Sequence, residues 1–171
     1  MSLKRIITLP DPILRKKSLS VNNVDKEIKN LMNDMLETMY AAPGIGLAAI
    51  QIGVPKRVVV MDISKEADKK DPMYFINPEI VWKSDKKASY EEGCLSIPNQ
   101  FAKIERSEKC TFKYLDYDGN QKEMKADGYL LGYNEVLKNI LDRDKIDTER
   151  KVSPLIKADD AIEIDSTYLS L

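Results

Sequence analysis

A long apolar stripe near the start of the chain constrains the fold more than any other feature. Between residues 24 and 42 the large apolar side chains recur at three- and four-residue spacing: Ile28, Leu31, Met32, Met35, Leu36 and Met39. This period predicts an amphipathic helix with one buried face. We expect Asn22 or Asn23 to cap the start of the helix, and Pro43 with Gly44 to end it.

Downstream of this helix the sequence predicts strands. Residues rich in β-branched and aromatic side chains occupy two segments, which are residues 57–62 and 73–81 (interrupted by Pro78), and residues 88–94 lead up to Cys94. The run that follows Cys94 is also expected to pair as a strand. Residues 110–117 and 121–126 predict a hairpin, because Asp118 and Gly119 are a favourable pair for a tight turn. Cys110 and Trp82 are assigned to packing.

Composition excludes several classes of protein. The 171 residues suit one domain, with 43% apolar and 32% charged residues and a formal charge of -1, which gives no basis for general polyanion binding. No apolar run reaches the length of a membrane span, and no signal-peptide core follows the first residues. Two cysteines do not make a disulfide framework, so we expect a reducing, cytoplasmic setting. The sequence contains no histidine, the commonest ligand for zinc and the commonest general base.

A glycine-rich stretch, residues 44–51, superficially matches a dinucleotide-binding fingerprint with Ala49 as its third small residue. That interpretation requires a strand before the glycines and a helix opening on them. Here a long predicted helix and Pro43 come first, which argues against a nucleotide site. Taken alone, the stretch favours a tight bend with a solvated Gln51.

Two segments together resemble the signature motifs of the peptide deformylases. Residues 44–51 resemble the first motif, and Glu91-Glu92-Gly93-Cys94-Leu95-Ser96-Ile97-Pro98 resembles the second. The opening at Pro10-Asp11-Pro12 and the segment 125–130 extend the resemblance over residues 4–131. Peptide deformylases are metal-dependent hydrolases that remove the formyl group from the initiator methionine of nascent bacterial-type proteins.

The resemblance implies a role for each matching residue. Cys94 would be a metal ligand, and Gln51 would donate a hydrogen bond to the metal-bound water and the substrate oxygen. The main-chain N–H of Leu95 would help Gln51 to stabilise the oxyanion, and Gly46 would contact the substrate peptide through its main chain. Further substrate-binding positions would be Gly44, Ile45, Glu92 and Gly93.

The third motif of the family, a helical His-Glu-x-x-His that supplies two metal ligands and a general base, is missing. An ungapped alignment places its histidine positions on Val136 and Ile140. A shifted alignment keeps Glu135 as a catalytic candidate but puts Asn134 and Lys138 at the ligand positions. An asparagine is a poor ligand for zinc or iron, and a lysine would place a cation where the metal belongs.

We therefore expect a deformylase-like protein without ordinary hydrolytic activity. The family uses iron(II), replaceable by zinc or nickel, but one thiolate does not hold a catalytic metal, so no cofactor is expected to bind tightly. A non-catalytic binding module for Met-initiated peptides and a non-functional hybrid are the alternatives. The expected partner is a formyl-methionyl peptide, if any groove survives. We expect a monomer with no membrane association and no specific nucleic-acid partner.

From residue 133 onward the chain is similar to the C-terminal part of bacterial cytidylate kinases, in which the positions of Arg143, Asp147 and Arg150 contact nucleotide. No G-x-x-x-x-G-K-[ST] loop occurs in the sequence, so kinase activity is excluded. Residues 133–171 carry nine acidic and six basic residues, which disfavours a ribosome anchor. The join is compatible with a natural fusion, an engineered chimera or an assembly error.

The predicted architecture is α+β and peptide-deformylase-like. It has a long N-terminal helix, mostly antiparallel sheets and a C-terminal helix from about residue 133, followed by an atypical tail. The deformylase-like domain would span residues 1–132. The segment 133–171 would not fold as an independent domain, and residues 145–171 would be the least well packed.

Overall fold

The apolar stripe forms helix α1, which spans Lys26–Ala41 in the computed structural model. The structure describes residues 2–64 and 69–127. The stripe is buried at its centre, where Met32, Met35 and Met39 are fully enclosed. The long N-terminal helix is thus confirmed.

The predicted N-cap at Asn22 or Asn23 is wrong, because Asp25 caps α1. The Oδ1 atom of Asp25 accepts a hydrogen bond from the N–H of Ile28 at 3.0 Å, and the backbone of Asp25 is extended. The chain before it is held out of the helix by Asn77, whose side chain bonds both the N–H and the C=O of Val21 at 2.8 Å. A distant residue thus fixes the chain four residues before the cap.

The described part of the chain contains seven strands, and all of their pairings are antiparallel. They are β1 (Gly46–Ala48), β2 (Val58–Met61), β3 (Met73–Lys83), β4 (Lys87–Cys94), β5 (Ile97–Ser107), β6 (Lys109–Leu115) and β7 (Gln121–Asp127). The first sheet has the order β1-β2-β3-β6-β7, and β4 pairs with β5 in a second, two-stranded sheet. The α+β class with antiparallel sheets is confirmed, as is the strand predicted to follow Cys94.

Strand β3 runs through Pro78 instead of being interrupted by it. The pairing of β3 with β6 changes register across Pro78, between Ile76 and Glu79, and again between Ile80 and Trp82. An irregularity of this kind accommodates proline, which has no N–H to offer to a ladder. The guanidinium of Arg57 donates to the carbonyl of Pro78.

The predicted hairpin is confirmed as β6 and β7. Its connection carries Gly119 at a φ of 84°, a left-handed conformation that glycine adopts without strain. The carboxylate of Asp116 organises the turn by accepting the N–H groups of Asp118 at 3.0 Å and Asn120 at 2.8 Å.

The core lies between α1 and the first strands of the larger sheet. The methionines of α1 share it with buried residues of β1, β2 and β3: Leu47, Val58, Val60 and Ile76. The assignment of Trp82 to packing is wrong, since 55% of its surface is exposed. Ile80, at 64%, is exposed as well. Both residues lie toward the end of β3 that is remote from α1.

The predicted C-terminal helix, the tail and Glu135 fall on residues 128–171, which lie outside the described residues. Within the described part of the chain, no helix has the length and apolar character that a membrane crossing requires.

Candidate functional site

Gln51 lies at the point where the two sheets approach each other. It belongs to a short 3-10 helix, Ala49–Ile52, that directly follows β1. Its Oε1 atom accepts the N–H of Ala48 at 2.9 Å. This bond orients the amide so that Nε2 donates to the Oγ of Ser96 at 3.1 Å and reaches the Sγ of Cys94 at 3.7 Å.

The thiol of Cys94 stands at the end of β4, on a turn. Cys94 pairs with Ile97 of β5, so Leu95 and Ser96 form the tip between the two strands. The side chain of Cys94 is exposed, whereas Ser96 is only 4% exposed. The turn thus presents the thiol outward and holds the hydroxyl of Ser96 beneath it, against Gln51.

The extended N-terminal segment joins the main chains of these two elements. The N–H of Ile7 donates to the carbonyl of Gln51 at 2.7 Å, and the N–H of Leu9 donates to the carbonyl of Ser96 at 3.0 Å. Because two residues of one strand-like segment bind both elements, the segment fixes the distance between Gln51 and the β4–β5 turn.

Gly44 is needed where Leu95 crosses the end of α1. A Cβ atom at position 44 would stand 2.6 Å from the Cδ1 and 3.3 Å from the Cγ of Leu95, closer than such atoms pack. The N–H of Gly44 donates to the carbonyl of Met39 at 2.9 Å, which anchors the glycine to the last turn of the helix. The two motifs predicted to share a site therefore touch through this pair.

Strand β1 is an edge strand of the larger sheet formed by the described strands. Gly46 is its first residue. The N–H of Asp62 donates to the carbonyl of Ile45 at 3.0 Å. Hydrogen-bonded and non-hydrogen-bonded pairs alternate in an antiparallel ladder, so the N–H and C=O of Gly46 point away from β2. A Cβ atom added at Gly46 would make an ordinary van der Waals contact, 3.7 Å from the carbonyl oxygen of Val60.

Glu92 and Gly93 lie on β4 and contact its partner strand. The carboxylate of Glu92 binds Arg106 through two bonds, from Nε at 2.5 Å and from Nη2 at 2.7 Å. These bonds lower the pKa of Glu92 and outweigh partial burial, which raises it. The ring of Phe101 covers Gly93, where a Cβ atom would stand 2.9 Å from it.

The structure brings most of the predicted residues to one place. Gln51 and Cys94 are in contact, Gly44 lies under Leu95, and Ile45 and Gly46 lie along the neighbouring strand edge. Sequence reasoning missed Ser96 as a member of the cluster. Its position within the second motif, between Leu95 and Ile97, was the only available signal.

Comparisons with known proteins show the family to which the chain belongs. A family model described as polypeptide deformylase matches residues 3–131, and a second, described as cytidylate kinase, matches residues 119–171. The chain belongs to the peptide deformylase family. The first match covers most of the chain, and the two matches overlap over residues 119–131.

Individual deformylases are similar in sequence and in structure. The chain is 61% identical over 130 residues to the peptide deformylase of Pelagibacter ubique, and the aligned region covers 76% of each protein. It is 56% identical over 128 residues to that of Phenylobacterium zucineum, covering 75% of this chain and 76% of the relative. A crystal structure of the Ehrlichia chaffeensis deformylase has a TM-score of 0.71 at 37% identity, covering 84% of this chain and 96% of that one.

Peptide deformylases are metal-dependent and act on formyl-methionyl peptides. Whether this chain can bind the metal depends on which ligand side chains lie close together. Among the described residues, no group of three or more His, Cys, Asp or Glu side chains could hold a metal ion. The neighbours of Cys94 in the cluster are an amide NH₂ and a hydroxyl, which are not the ligands of structural or catalytic zinc. The described residues around Cys94 by themselves therefore do not provide the ligands that the metal requires.

Gly44→Ala is expected to disturb the contact between the two motifs. The added methyl group collides with Leu95, so the variant should lose about 1–3 kcal/mol of unfolding free energy and shift the Leu95 methyl resonances. Gly46→Ala, whose added methyl group makes only an ordinary contact with the carbonyl oxygen of Val60, should cost less than about 1 kcal/mol. Urea unfolding and methyl NMR measure both effects, and equal effects of the two variants would contradict the assigned contact.

Arg106→Gln is expected to raise the pKa of Glu92 toward its ordinary value. A carboxylate with a lowered pKa stabilises the fold above the unfolded-state pKa, and this contribution disappears as the pH falls through the lowered value. For a pair this exposed we expect about 0.2–1 kcal/mol near neutral pH. Carboxyl NMR titration and unfolding at several pH values test this, and in a Glu92→Gln background the Arg106 substitution should have no pH-dependent effect.

Proposed function

We propose that this peptide deformylase-family protein does not carry out metal-dependent deformylation, and that what it retains is a binding edge for Met-initiated peptides. The loss of deformylation is inferred from the metal-ligand side chains that the sequence offers. The chain has no histidine in its 171 residues and only two cysteines. Of these, Cys94 lies in the Gln51 cluster, while Cys110 lies in β6, which pairs with β3 and β7 in the other sheet.

A catalytic zinc or iron site of this family type needs three protein ligands and an open position for water. Cys94 alone supplies one thiolate, and a single ligand does not offset the free energy of ordering and dehydrating the ion. The two remaining positions, expected from the family near residues 136 and 140, hold residues that are not ligands. The metal-activated water on which amide hydrolysis at neutral pH depends is therefore not formed.

The hydrogen-bonding groups do not depend on the metal. Gln51 is held by Ala48 at 2.9 Å and presents its NH₂ group beside Cys94 and Ser96. An oriented amide of this kind donates to the carbonyl oxygen of a ligand whether or not chemistry follows. The main-chain N–H of Leu95, on the adjoining turn, is the second donor predicted from the family.

The edge of β1 supports the peptide-binding proposal. An extended peptide can add to an exposed strand edge through main-chain hydrogen bonds, while side-chain pockets supply specificity. The outward-facing N–H and C=O groups of Gly46 are suited to this addition. The half-buried side chains of Ile45 and Leu95 give the adjacent surface an apolar character that suits a methionine side chain.

The other parts of the assignment are proposals of the same kind. We place the protein in the cytoplasm as a monomer without a ribosome anchor. We assign residues 1–132 to the deformylase-like domain and 133–171 to a kinase-like segment that is not an independent domain. Glu135 alone, without the histidines that flank the general base in the family, is not expected to support turnover.

Metal content and turnover test the loss of hydrolysis. The full chain, purified and supplied with iron(II), nickel or zinc, should retain far less than one metal ion per chain after gel filtration. It should also release no formate from a formyl-Met-Ala-Ser peptide above the rate of a Cys94→Ser variant. About one tightly held ion per chain, together with deformylation that Cys94→Ser abolishes, would overturn the proposal.

Calorimetric titration with the same peptide tests the binding edge. We expect saturable binding, which Gln51→Ala should weaken about tenfold because it removes a hydrogen-bond donor from the site. Gln121→Ala, an exposed glutamine at the start of β7, is the matched control and should leave Kd unchanged. If the unmodified chain shows no saturable binding, the chain is a scaffold or a non-functional hybrid.

A further inference from the structure

We propose that Tyr40 and Asp62 are positioning residues that hold the Ile45–Gly46 edge in the conformation that receives a peptide. This inference deepens the proposed peptide-binding function and rests on it. Neither residue belongs to the two signature motifs. Their influence would act through the backbone that they hold together.

Asp62 follows β2 and is fully buried, with a relative exposure of 0%. Its carboxylate accepts hydrogen bonds from the hydroxyl of Tyr40, from the N–H of Ser64 at 2.9 Å and from the N–H of Asp71 at 3.2 Å. Burying a carboxylate is unfavourable unless such donors compensate for the lost water. The carboxylate therefore fixes both ends of the β2–β3 connection to one point.

The backbone of Asp62 holds the peptide-binding edge. Its N–H donates to the carbonyl of Ile45 at 3.0 Å, one residue before Gly46 enters β1. The same residue thus binds the edge through its main chain and the helix through its side chain. A shift of Asp62 would move the carbonyl of Ile45 and, with it, the outward-facing groups of Gly46.

Tyr40 ties this arrangement to the last turn of α1. From that turn, the carbonyl of Met39 accepts the N–H of Gly44 at 2.9 Å. The segment from residue 41 to 45 is therefore held at its start by the helix and at its end by Asp62. The bond from the Tyr40 hydroxyl to Asp62 joins these two supports directly. The ammonium group of Lys70 lies 4.2 Å from the centre of the Tyr40 ring, which further restrains the ring.

Tyr40→Phe removes the hydroxyl and keeps the ring, so it tests the hydrogen bond from Tyr40 to Asp62 alone. Tyr117→Phe is the matched control, because the hydroxyl of Tyr117 bonds Asn33 of the same helix at 3.3 Å and its ring is also half-buried. Three measurements on the full chain separate the roles: urea unfolding, hydrogen exchange of the Asp62 amide by NMR, and the Kd for formyl-Met-Ala-Ser by calorimetry.

We expect Tyr40→Phe to speed exchange of the Asp62 amide about tenfold and to weaken peptide binding about tenfold, the usual effect of losing a hydrogen bond to a charged group. Tyr117→Phe, which loses a bond to a neutral amide, should lower the unfolding free energy less and change exchange and Kd by less than twofold. Equal exchange rates in the two variants would overturn the proposal and reduce Tyr40 to a structural role.

The exchange measurement does not require a ligand, so it distinguishes the two failures. If the unmodified chain binds no peptide, the proposed function fails while the exchange rates still decide whether Tyr40 restrains the edge. If the chain binds the peptide and Tyr40→Phe changes neither exchange nor Kd, only the positioning role fails.

Discussion

The rest of the structure depends on the packing of α1 against β1 and β2. Met32, Met35 and Met39 are fully buried together with residues of both strands, and unbranched, polarisable side chains of this kind fill an irregular interface well. With the helix and the sheet fixed in this way, only a few residues are left to join them. Those residues include Gly44, where a side chain would meet Leu95, so the position of the site follows from the core.

The second constraint is the orientation of one amide. Because the Oε1 atom of Gln51 is engaged by the N–H of Ala48, the amide cannot rotate without losing that bond, and its NH₂ group faces Ser96 and Cys94. This orientation requires no metal. The site therefore separates into two parts: a hydrogen-bonding part that the described fold holds in place, and a metal-binding part to which the described structure brings the thiol of Cys94 and the sequence brings no histidine.

Local patterns predicted the elements better than their ends or their environment. The apolar period extends over several turns and predicts the helix, whereas the cap falls at Asp25, whose extended backbone and carboxylate begin the helix two residues later than Asn23 would. Pro78 was expected to interrupt a strand that instead absorbs it with a change of register. Trp82 is predicted to pack but is exposed. No local pattern shows which part of β3 the core covers.

The sequence by itself determined the deformylase family, the amphipathic helix, the antiparallel hairpin and the lack of histidine ligands. These depend on residue identity and short spacing. Only the tertiary structure decided that Ser96 joins Gln51, that Ile7 and Leu9 join the 3-10 helix of Gln51 to the β4–β5 turn, and that Tyr40 meets a buried Asp62. Each of these contacts connects residues separated by many positions along the chain. They arise from how packed elements meet, which no local period encodes.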